Sequence, residues 1–154
     1  MGTSKVLEAV RRVASINSQI SVVGVEKRID GDNLPEILAD VDLVIEALDS
    51  IPLKIAVERV CSERGITLVH GAIGGWIAQV AVVRPGDFIL AKIYDDIQKG
   101  VESIMGNPSF TPALAASVQV SETLKVLLAR GGSLDKEVLY IDLENNDFTR
   151  LDLS

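Results

Sequence analysis

The chain has 154 residues, of which 47% are hydrophobic and 24% charged, a balance typical of one globular domain with a sizeable core. Its net charge of −7, without any cluster of Lys and Arg, disfavours a surface that binds nucleic acid. A single cysteine, Cys61, excludes a disulfide framework and a cysteine-based zinc site within one chain, and the lack of a membrane-length apolar run or signal peptide predicts a cytoplasmic protein.

Helical and strand patterns alternate in the first half. Thr3 or Ser4 can cap a helix that runs to about Asn17, and no strand pattern precedes it, which predicts a piece of something longer. Asp32 or Asn33 can cap the next, short helix. The predicted elements after the first helix are a strand at 20–25, a helix at 34–39, a strand at 43–48, a helix at 52–64 that ends at Gly65, and a strand at 67–70. This alternation predicts parallel strands joined by helical crossovers.

The second half has a different character. Its predicted elements are a strand at 77–83 stopped by Arg84-Pro85-Gly86-Asp87, a strand at 88–94, a long crossing loop at 95–111, a helix at 113–129 closed by Gly131-Gly132, and a hairpin of strands 137–143 and 147–152 around Asn145-Asn146. We therefore predict a three-layer α/β fold with parallel strands in the first half and a mixed or antiparallel second half. A single domain is expected over residues 1–154.

Lys5 lies in the first turn of the first predicted helix. A cation there opposes the helix dipole, at a cost of roughly 0.3–1 kcal/mol. The plain interpretation is a solvated lysine. The functional alternative is a lysine that contacts a phosphate, beside backbone N–H groups that also favour anions.

Asp49 follows the predicted strand at 43–48 and precedes a helix. The carboxyl ends of parallel strands are where open α/β sheets bind ligands. Asp49 can be a helix N-cap, a position that Asp favours. It can also be a magnesium ligand, because hard cations take carboxylates together with substrate phosphates.

Four further features have plain structural interpretations. His70 is interpreted as a packed or edge-strand histidine, and Cys61 as a buried residue within a helix. The segment 71–75 (GAIGG) lacks phosphate-loop spacing, so its glycines are expected to permit close backbone approach. Glu122 and Lys125 are interpreted as a solvated pair on a helix.

Five short blocks occur in order along nearly the whole chain. They are Gly2-Thr3-Ser4-Lys5, similar to G-x-x-K; 42–50 (DLVIEALDS), similar to D-x-V-(I/L)-D-x-x-D-N; 67–72 (TLVHGA), similar to P-L-V-x-G-A; 75–80 (GWIAQV), similar to G-x-x-G-Q-V; and 112–125, similar to P-x-x-x-(A/S)-x-x-Q-(A/V)-x-E-x-x-K. With these blocks the chain resembles the ThiF/MoeB/HesA family, the bacterial relatives of ubiquitin-activating enzymes. It departs from the family at Ser50, where Asn is usual, at Thr67, where Pro is usual, and at Ala78, where Gly is usual.

The resemblance implies a partial Rossmann-like fold and an ATP-dependent adenylyltransferase. The reaction would adenylate the C-terminal glycine carboxylate of a ubiquitin-like sulfur-carrier protein. By the same resemblance Lys5 would contact the ATP phosphates, Asp49 would lie beside magnesium, and Ser50 would take the place of an Asn that contacts the nucleotide. Lys5 and magnesium would neutralise charge on the phosphates as pyrophosphate leaves. A homodimer is also implied.

Part of the family's nucleotide site is not in this sequence. The glycine-rich loop, the acidic residue for the ribose and the arginines near the triphosphate all precede the family's G-x-x-K. We therefore expect a truncated ThiF-type adenylating domain that is inactive alone and binds neither ATP nor magnesium. The Cys-x-x-Cys pairs of many members are absent, so no zinc is expected. The alternatives are a non-catalytic dimeric binding module derived from the same family and, without a dinucleotide fingerprint to support it, an NAD-binding oxidoreductase.

Overall fold

The structure is a computed structural model that describes residues 2–94, 106 and 108–154. It contains two compact units, Met1–Asp30 and Gly31–Ser154. The expectation of one domain over the whole chain stays a prediction. No helix in the described part of the chain is both long and apolar enough to cross a membrane.

The first unit is built on helix α1, Lys5–Ile16. The predicted N-cap is confirmed at Ser4, whose hydroxyl accepts the N–H of Leu7 at 3.5 Å. The predicted strand at 20–25 is wrong, because no described strand pairs with this segment and a strand exists only through such a ladder. The segment instead packs against α1: a Cβ added at Gly24 would lie 2.7 Å from Cγ1 of Val6.

The second unit is a mixed sheet with helices. Its helices are α2 (Leu34–Ile37), α3 (Ile51–Arg64), α4 (Ile89–Ile93) and α5 (Phe110–Leu127). Its strands are β1 (Leu43–Glu46), β2 (Thr67–Gly74), β3 (Ile77–Val83), β4 (Glu137–Asp142) and β5 (Asp147–Asp152). They follow the order β1-β2-β3-β4-β5, with β1 and β2 parallel and every later pair antiparallel. The predicted fold class is confirmed.

Helix α3 makes the crossover between the two parallel strands. It ends at Gly65, as predicted, where a left-handed backbone (φ 71°) stops the helix and turns the chain into β2. Strand β2 is longer than predicted, because residues 71–74 continue past β1 and pair with β3. The tight connection between β2 and β3 passes through Gly75, which also has a positive φ.

Helices cover both faces of this sheet. Helix α5 packs on one face, where Val69, Val80 and Val82 form a core with Val118. His70 faces the other side, because successive strand residues alternate, and its ring lies edge-on to Tyr94 just after α4. The predicted three layers are therefore present in this unit.

The predicted strand at 88–94 is wrong, because the chain forms α4 there. Phe88 adopts a left-handed backbone (φ 49°) that turns the chain. The Glu58 carboxylate of α3 then accepts the N–H groups of Leu90 at 2.6 Å and Ala91 at 3.1 Å, so helix donors that lack partners are satisfied from another element.

Two other predicted elements, the helix at 113–129 and the C-terminal hairpin, are present in the structure. Helix α5 begins three residues earlier than predicted, at Phe110. The hairpin is confirmed, with Asn146 at a positive φ in its turn. Most of the predicted crossing loop, at 95–105 and 107, lies outside the described residues.

Candidate functional site

Asp49 lies in the turn that connects β1 to α3. The N-cap of α3 is Ser50, in an extended conformation and without a side-chain capping bond. Asp49 is therefore not the cap, and one of the two interpretations of this residue is removed. Its carboxylate is exposed, and no hydrogen bond or ion pair involves it among the described residues. The turn thus presents a carboxylate with its oxygens available to a ligand.

A cavity of about 390 Å³ opens beside this carboxylate. Its walls are the turn after β1, the middle of β2 and the first half of α5. The lining residues are Ala47, Leu48, Asp49, Gly71, Ala72, Ile73, Pro112, Ala115, Ala116 and Gln119. Asp49 is the one ionisable residue among them. Among the described residues the lining of the cavity therefore carries one acid, Asp49, and is otherwise uncharged.

Gln119 of α5 connects the helix to the two parallel strands at the back of this cavity. It is buried, and its side-chain amide donates to the carbonyl oxygens of Glu46 at 2.9 Å and Val69 at 3.3 Å. A Cβ added at Gly71 would lie closer to Cδ of Gln119 than van der Waals contact allows. The expectation that glycine in segment 71–75 permits close approach is confirmed at Gly71, where the neighbour is the Gln119 side chain.

We expect Gly71→Ala to destabilise the protein by about 1–3 kcal/mol, the usual cost of overpacking. The added methyl group displaces Gln119, whose two hydrogen bonds to strand carbonyls are then weakened or lost. Urea unfolding measures the change. Gly31→Ala is the matched control, since an added Cβ there meets no atom within 4 Å and stability should change by less than about 0.5 kcal/mol. Equal effects at the two positions would contradict the close approach.

A buried polar cluster lies behind the turn. Glu46, Lys54 and His70 are 3%, 2% and 0% exposed, so all three polar side chains lie inside the protein. The Lys54 ammonium donates to both carboxylate oxygens of Glu46 at 3.1 Å and to the carbonyl oxygen of Gly71 at 3.0 Å. The Glu46 carboxylate also accepts from the backbone N–H of Leu48 at 3.0 Å and bonds to Nδ1 of His70.

His70 continues this network to the end of α4. Its Nδ1 faces the Glu46 carboxylate, which makes Nδ1 the protonated nitrogen and leaves Nε2 as an acceptor. The hydroxyl of Tyr94 lies 3.4 Å from Nε2 and accepts a hydrogen bond from the Gln79 amide at 2.7 Å. The interpretation of His70 as a packed histidine is confirmed.

Burial lowers the pKa of His70, by more than the neighbouring Glu46 carboxylate raises it. Burial acts in the opposite direction on Glu46, but the His70 hydrogen bond and the Lys54 ammonium outweigh it and lower the pKa of that carboxyl. At neutral pH Glu46 is therefore a carboxylate and His70 a neutral imidazole.

We expect the free energy of unfolding to fall as the pH drops below the ordinary His pKa of 6.5, because the unfolded chain then binds a proton that folded His70 does not. A second loss follows below 4.5, where Glu46 is protonated only in the unfolded chain. One such proton changes stability by up to about 1.4 kcal/mol per pH unit. Urea titrations at pH 7, 6 and 5 measure the slope. His70→Gln keeps a donor for Glu46 but cannot titrate, so an identical slope in this variant would contradict the prediction.

Lys5 lies in the first unit, as the first residue of α1. It is exposed, and with Thr3, Glu8, Ala9 and Arg12 it lines a depression of about 430 Å³. No hydrogen bond or ion pair of Lys5 is found within the described residues. Its expected role beside Asp49 and Ser50, which belong to the second unit, stays a prediction.

The buried acids and the buried lysine were not predicted from the sequence. Lys54 and Glu58 share the apolar stripe of α3 with Val57 and Cys61, and a charged residue on such a stripe is the signal that could have revealed them. The interpretation of Glu122 as part of a solvated pair is wrong. Glu122 is 3% exposed, and besides its ion pair with Lys125 it accepts the N–H of Leu134 at 2.9 Å.

Cys61 is buried within α3, as predicted, and is 1% exposed. Burial, with the Glu58 carboxylate nearby, raises its pKa to about 11. The thiol is therefore protonated at neutral pH, and Cys61 is not among the residues that line the cavity.

Asp49 fits a magnesium site of one particular kind. Magnesium is commonly held by one or two carboxylates together with substrate phosphates rather than by a protein cage. No group of three His, Cys, Asp or Glu side chains in the described parts of the chain is arranged as such a cage. A single carboxylate beside a cavity is compatible with magnesium that is held by this carboxylate together with substrate phosphates.

Comparison with known proteins settles the family. The profile of the ThiF family matches residues 1–154. The chain belongs to the ThiF family. The SAMP-activating enzyme E1 of Haloferax volcanii is 29% identical over 155 residues, which cover 96% of this chain and 56% of that enzyme. The sulfur carrier protein adenylyltransferase of Thermus thermophilus is 28% identical over 166 residues, which cover 98% of this chain and 59% of that protein.

Solved structures agree with this ThiF-family assignment at the level of the fold. The crystal structure of E. coli MccB with ATP superposes with a TM-score of 0.77 at 18% identity, covering 100% of this chain and 49% of that one. PaaA superposes with a TM-score of 0.74 at 12% identity, covering 100% of this chain and 56% of that one. The chain thus spans about half the length of the relatives that it matches.

Proposed function

We propose that this ThiF-family chain is a portion of an ATP-dependent adenylyltransferase that activates the C-terminal carboxylate of a ubiquitin-like sulfur-carrier protein. The observation that carries the proposal is the available carboxylate of Asp49 at the border of an uncharged cavity. Of two similar proteins, one is named as a SAMP-activating enzyme E1 and the other as a sulfur carrier protein adenylyltransferase, which supports the same chemistry here.

Adenylation joins a carrier carboxylate oxygen to the α-phosphorus of ATP and releases pyrophosphate. Asp49 would hold magnesium, which supplies positive charge against the triphosphate when bound. Lys5 would contact the phosphates, and the Ser50 hydroxyl would bond to the nucleotide. Gly71, Ala72 and Ala115 make part of the cavity wall from small side chains, beside which an extended glycine tail would approach Asp49.

We expect residues 1–154 alone to bind ATP and magnesium too weakly for calorimetry to detect. The glycine-rich loop that the family resemblance implies for the phosphates is not among these residues. The nucleotide contacts available here reduce to Lys5, Asp49 and Ser50, which is part of a site rather than a whole one. Micromolar binding by residues 1–154 would show that other residues make the site.

The proposal is tested by a chimaera that joins this chain to the N-terminal part of the Haloferax relative, where the family resemblance implies the glycine-rich loop. The readout is ATP–pyrophosphate exchange that depends on the SAMP protein for which that enzyme is named. The N-terminal part alone and residues 1–154 alone are the controls, and neither is expected to support exchange. A folded chimaera without carrier-dependent exchange would overturn the proposal and favour a non-catalytic binding module.

We also propose that the chain forms a homodimer through the outer face of α5. None of the exposed positions of this 18-residue helix is charged. Val120, Leu124 and Leu127 lie on this face and are 53%, 50% and 57% exposed. Apolar patches of several hundred Å² mark interaction sites. A second copy of the same face suits it, because contact between two uncharged surfaces brings no like charges together in a protein of net charge −7.

We expect light scattering at tens of micromolar to give the mass of a dimer. The variant Leu124→Glu is expected to raise the dissociation constant of that dimer about tenfold or more. The reason is that a buried, unpaired carboxylate costs several kcal/mol at an apolar interface. Leu151→Glu on β5 is the matched control, since Leu151 is 46% exposed on another element. A monomeric parent protein, or a dimer broken by Leu151→Glu alone, would contradict this interface.

A further inference from the structure

The Glu46–Lys54 pair contacts the main chain of two walls of the cavity. The Glu46 carboxylate accepts the N–H of Leu48 at 3.0 Å, inside the turn that ends at Asp49. The Lys54 ammonium donates to the carbonyl oxygen of Gly71 at 3.0 Å, in β2. The third wall is connected at the same place, because Gln119 of α5 donates to the main-chain oxygen of Glu46 at 2.9 Å.

Stability alone does not account for such a pair. Taking an ammonium and a carboxylate out of water is costly, and well-packed apolar residues of similar volume are often as stabilising or more so. Apolar side chains, however, make no directional bonds to a backbone N–H or carbonyl. The Glu46 carboxylate binds the N–H of Leu48, and the Lys54 ammonium binds the carbonyl oxygen of Gly71, each at 3.0 Å. An apolar replacement of the ion pair would remove both of these charge-assisted hydrogen bonds.

We propose that Glu46 and Lys54 are positioning residues that set the Asp49 turn at its distance from Gly71. His70 assists by bonding the carboxylate from its Nδ1 side, so that Glu46 is held in one orientation. Neither Glu46 nor Lys54 reaches the cavity, since both are buried and absent from its lining. Their effect passes through Leu48 and Gly71, which do line it. The importance of this arrangement for catalysis rests on the proposed adenylyltransferase function.

The first test uses residues 1–154 and does not depend on that function. The double variant Glu46→Gln/Lys54→Met leaves no unpaired buried charge, so it should fold. Amide hydrogen exchange by NMR is expected to be at least tenfold faster at Leu48, whose N–H is bonded to the Glu46 carboxylate in the parent, with the β4–β5 hairpin unchanged. The single variant Lys54→Arg keeps a donor and the positive charge, so its amide exchange at the turn should be as slow as in the parent. Parent-like exchange in a folded double variant would overturn the proposal, as would loss of protection throughout the chain.

The second test uses the chimaera with the Haloferax N-terminal part. We expect the double variant to lower kcat for ATP–pyrophosphate exchange at least tenfold while KM for ATP changes less than threefold, because small displacements of a reacting geometry are costly in rate. An unchanged kcat, together with faster exchange at the turn, would overturn the catalytic part of the proposal. If the parent chimaera shows no exchange, the proposed function fails, and the NMR experiment still decides whether the pair positions the turn.

Discussion

Asp49→Asn is expected to reduce carrier adenylation by about 100-fold or more in the chimaera with the Haloferax N-terminal part, while the melting temperature barely moves. Asn keeps the size and polarity of Asp but removes one negative charge from the place where magnesium and the triphosphate would lie. A loss of several kcal/mol in the transition state corresponds to this change in rate. The structure makes a large stability effect unexpected, because Ser50 and not Asp49 occupies the N-cap of α3.

Asp42→Asn is the matched control for charge. Asp42 is exposed just before the amino end of β1, so this variant removes the same charge from the opposite end of the same strand. Its adenylation rate should stay within about twofold of the parent. Near-normal adenylation by Asp49→Asn, or an equal loss in both variants, would end the assignment of Asp49 as the magnesium-binding residue.

Lys54→Met is expected to lower the free energy of unfolding by about 3–5 kcal/mol, the usual result of removing one partner of a buried ion pair. The variant leaves the Glu46 carboxylate, 3% exposed, without its ammonium, and leaves the carbonyl oxygen of Gly71 without its donor. Since whole domains have a stability of about 5–15 kcal/mol, this loss is large. Urea unfolding monitored by circular dichroism measures it.

Two variants show whether the effect comes from the buried charge. Adding Glu46→Gln to Lys54→Met removes the unpaired carboxylate and should recover most of the lost stability. Arg59→Met removes a cation from an ion pair of the same helix, but Arg59 and Glu63 are 69% and 67% exposed, so the cost should stay within about 1 kcal/mol. A loss at Lys54 no larger than that at Arg59 would contradict the prediction.

The parts of the fold that the sequence predicted are those specified by neighbouring residues. Gly65 ends α3 because it can adopt a positive φ, and Ser4 begins α1 because its hydroxyl reaches an N–H three residues away. Asn145-Asn146 closes the hairpin for a similarly local reason. The place of Asp49 after a buried strand was predictable in the same way, from an apolar run that ends at a turn.

The parts that the sequence did not predict depend on distant residues. Helix α4 forms because Glu58, more than thirty residues earlier, accepts its first N–H groups. Lys54 contacts Gly71, which lies 17 residues away, and this pairing becomes visible only when α3 packs on β2. The segment 20–25 has a strand pattern, but the pattern gives no information about whether a partner strand is present. Periodicity therefore located the candidate site but not the network behind it.

The protected thiol of Cys61 makes the protein suitable for labelling experiments. It is the one cysteine of the chain, it is 1% exposed, and its pKa is about 11, so thiol reagents at neutral pH reach it only when α3 leaves the core. A cysteine introduced at an exposed position outside α5, such as Glu144 in the turn between β4 and β5, would carry a fluorophore or spin label alone, with no native cysteine to remove. Because the Cys61 thiol is buried, the rate at which it reacts with a thiol reagent reports the opening of the second unit.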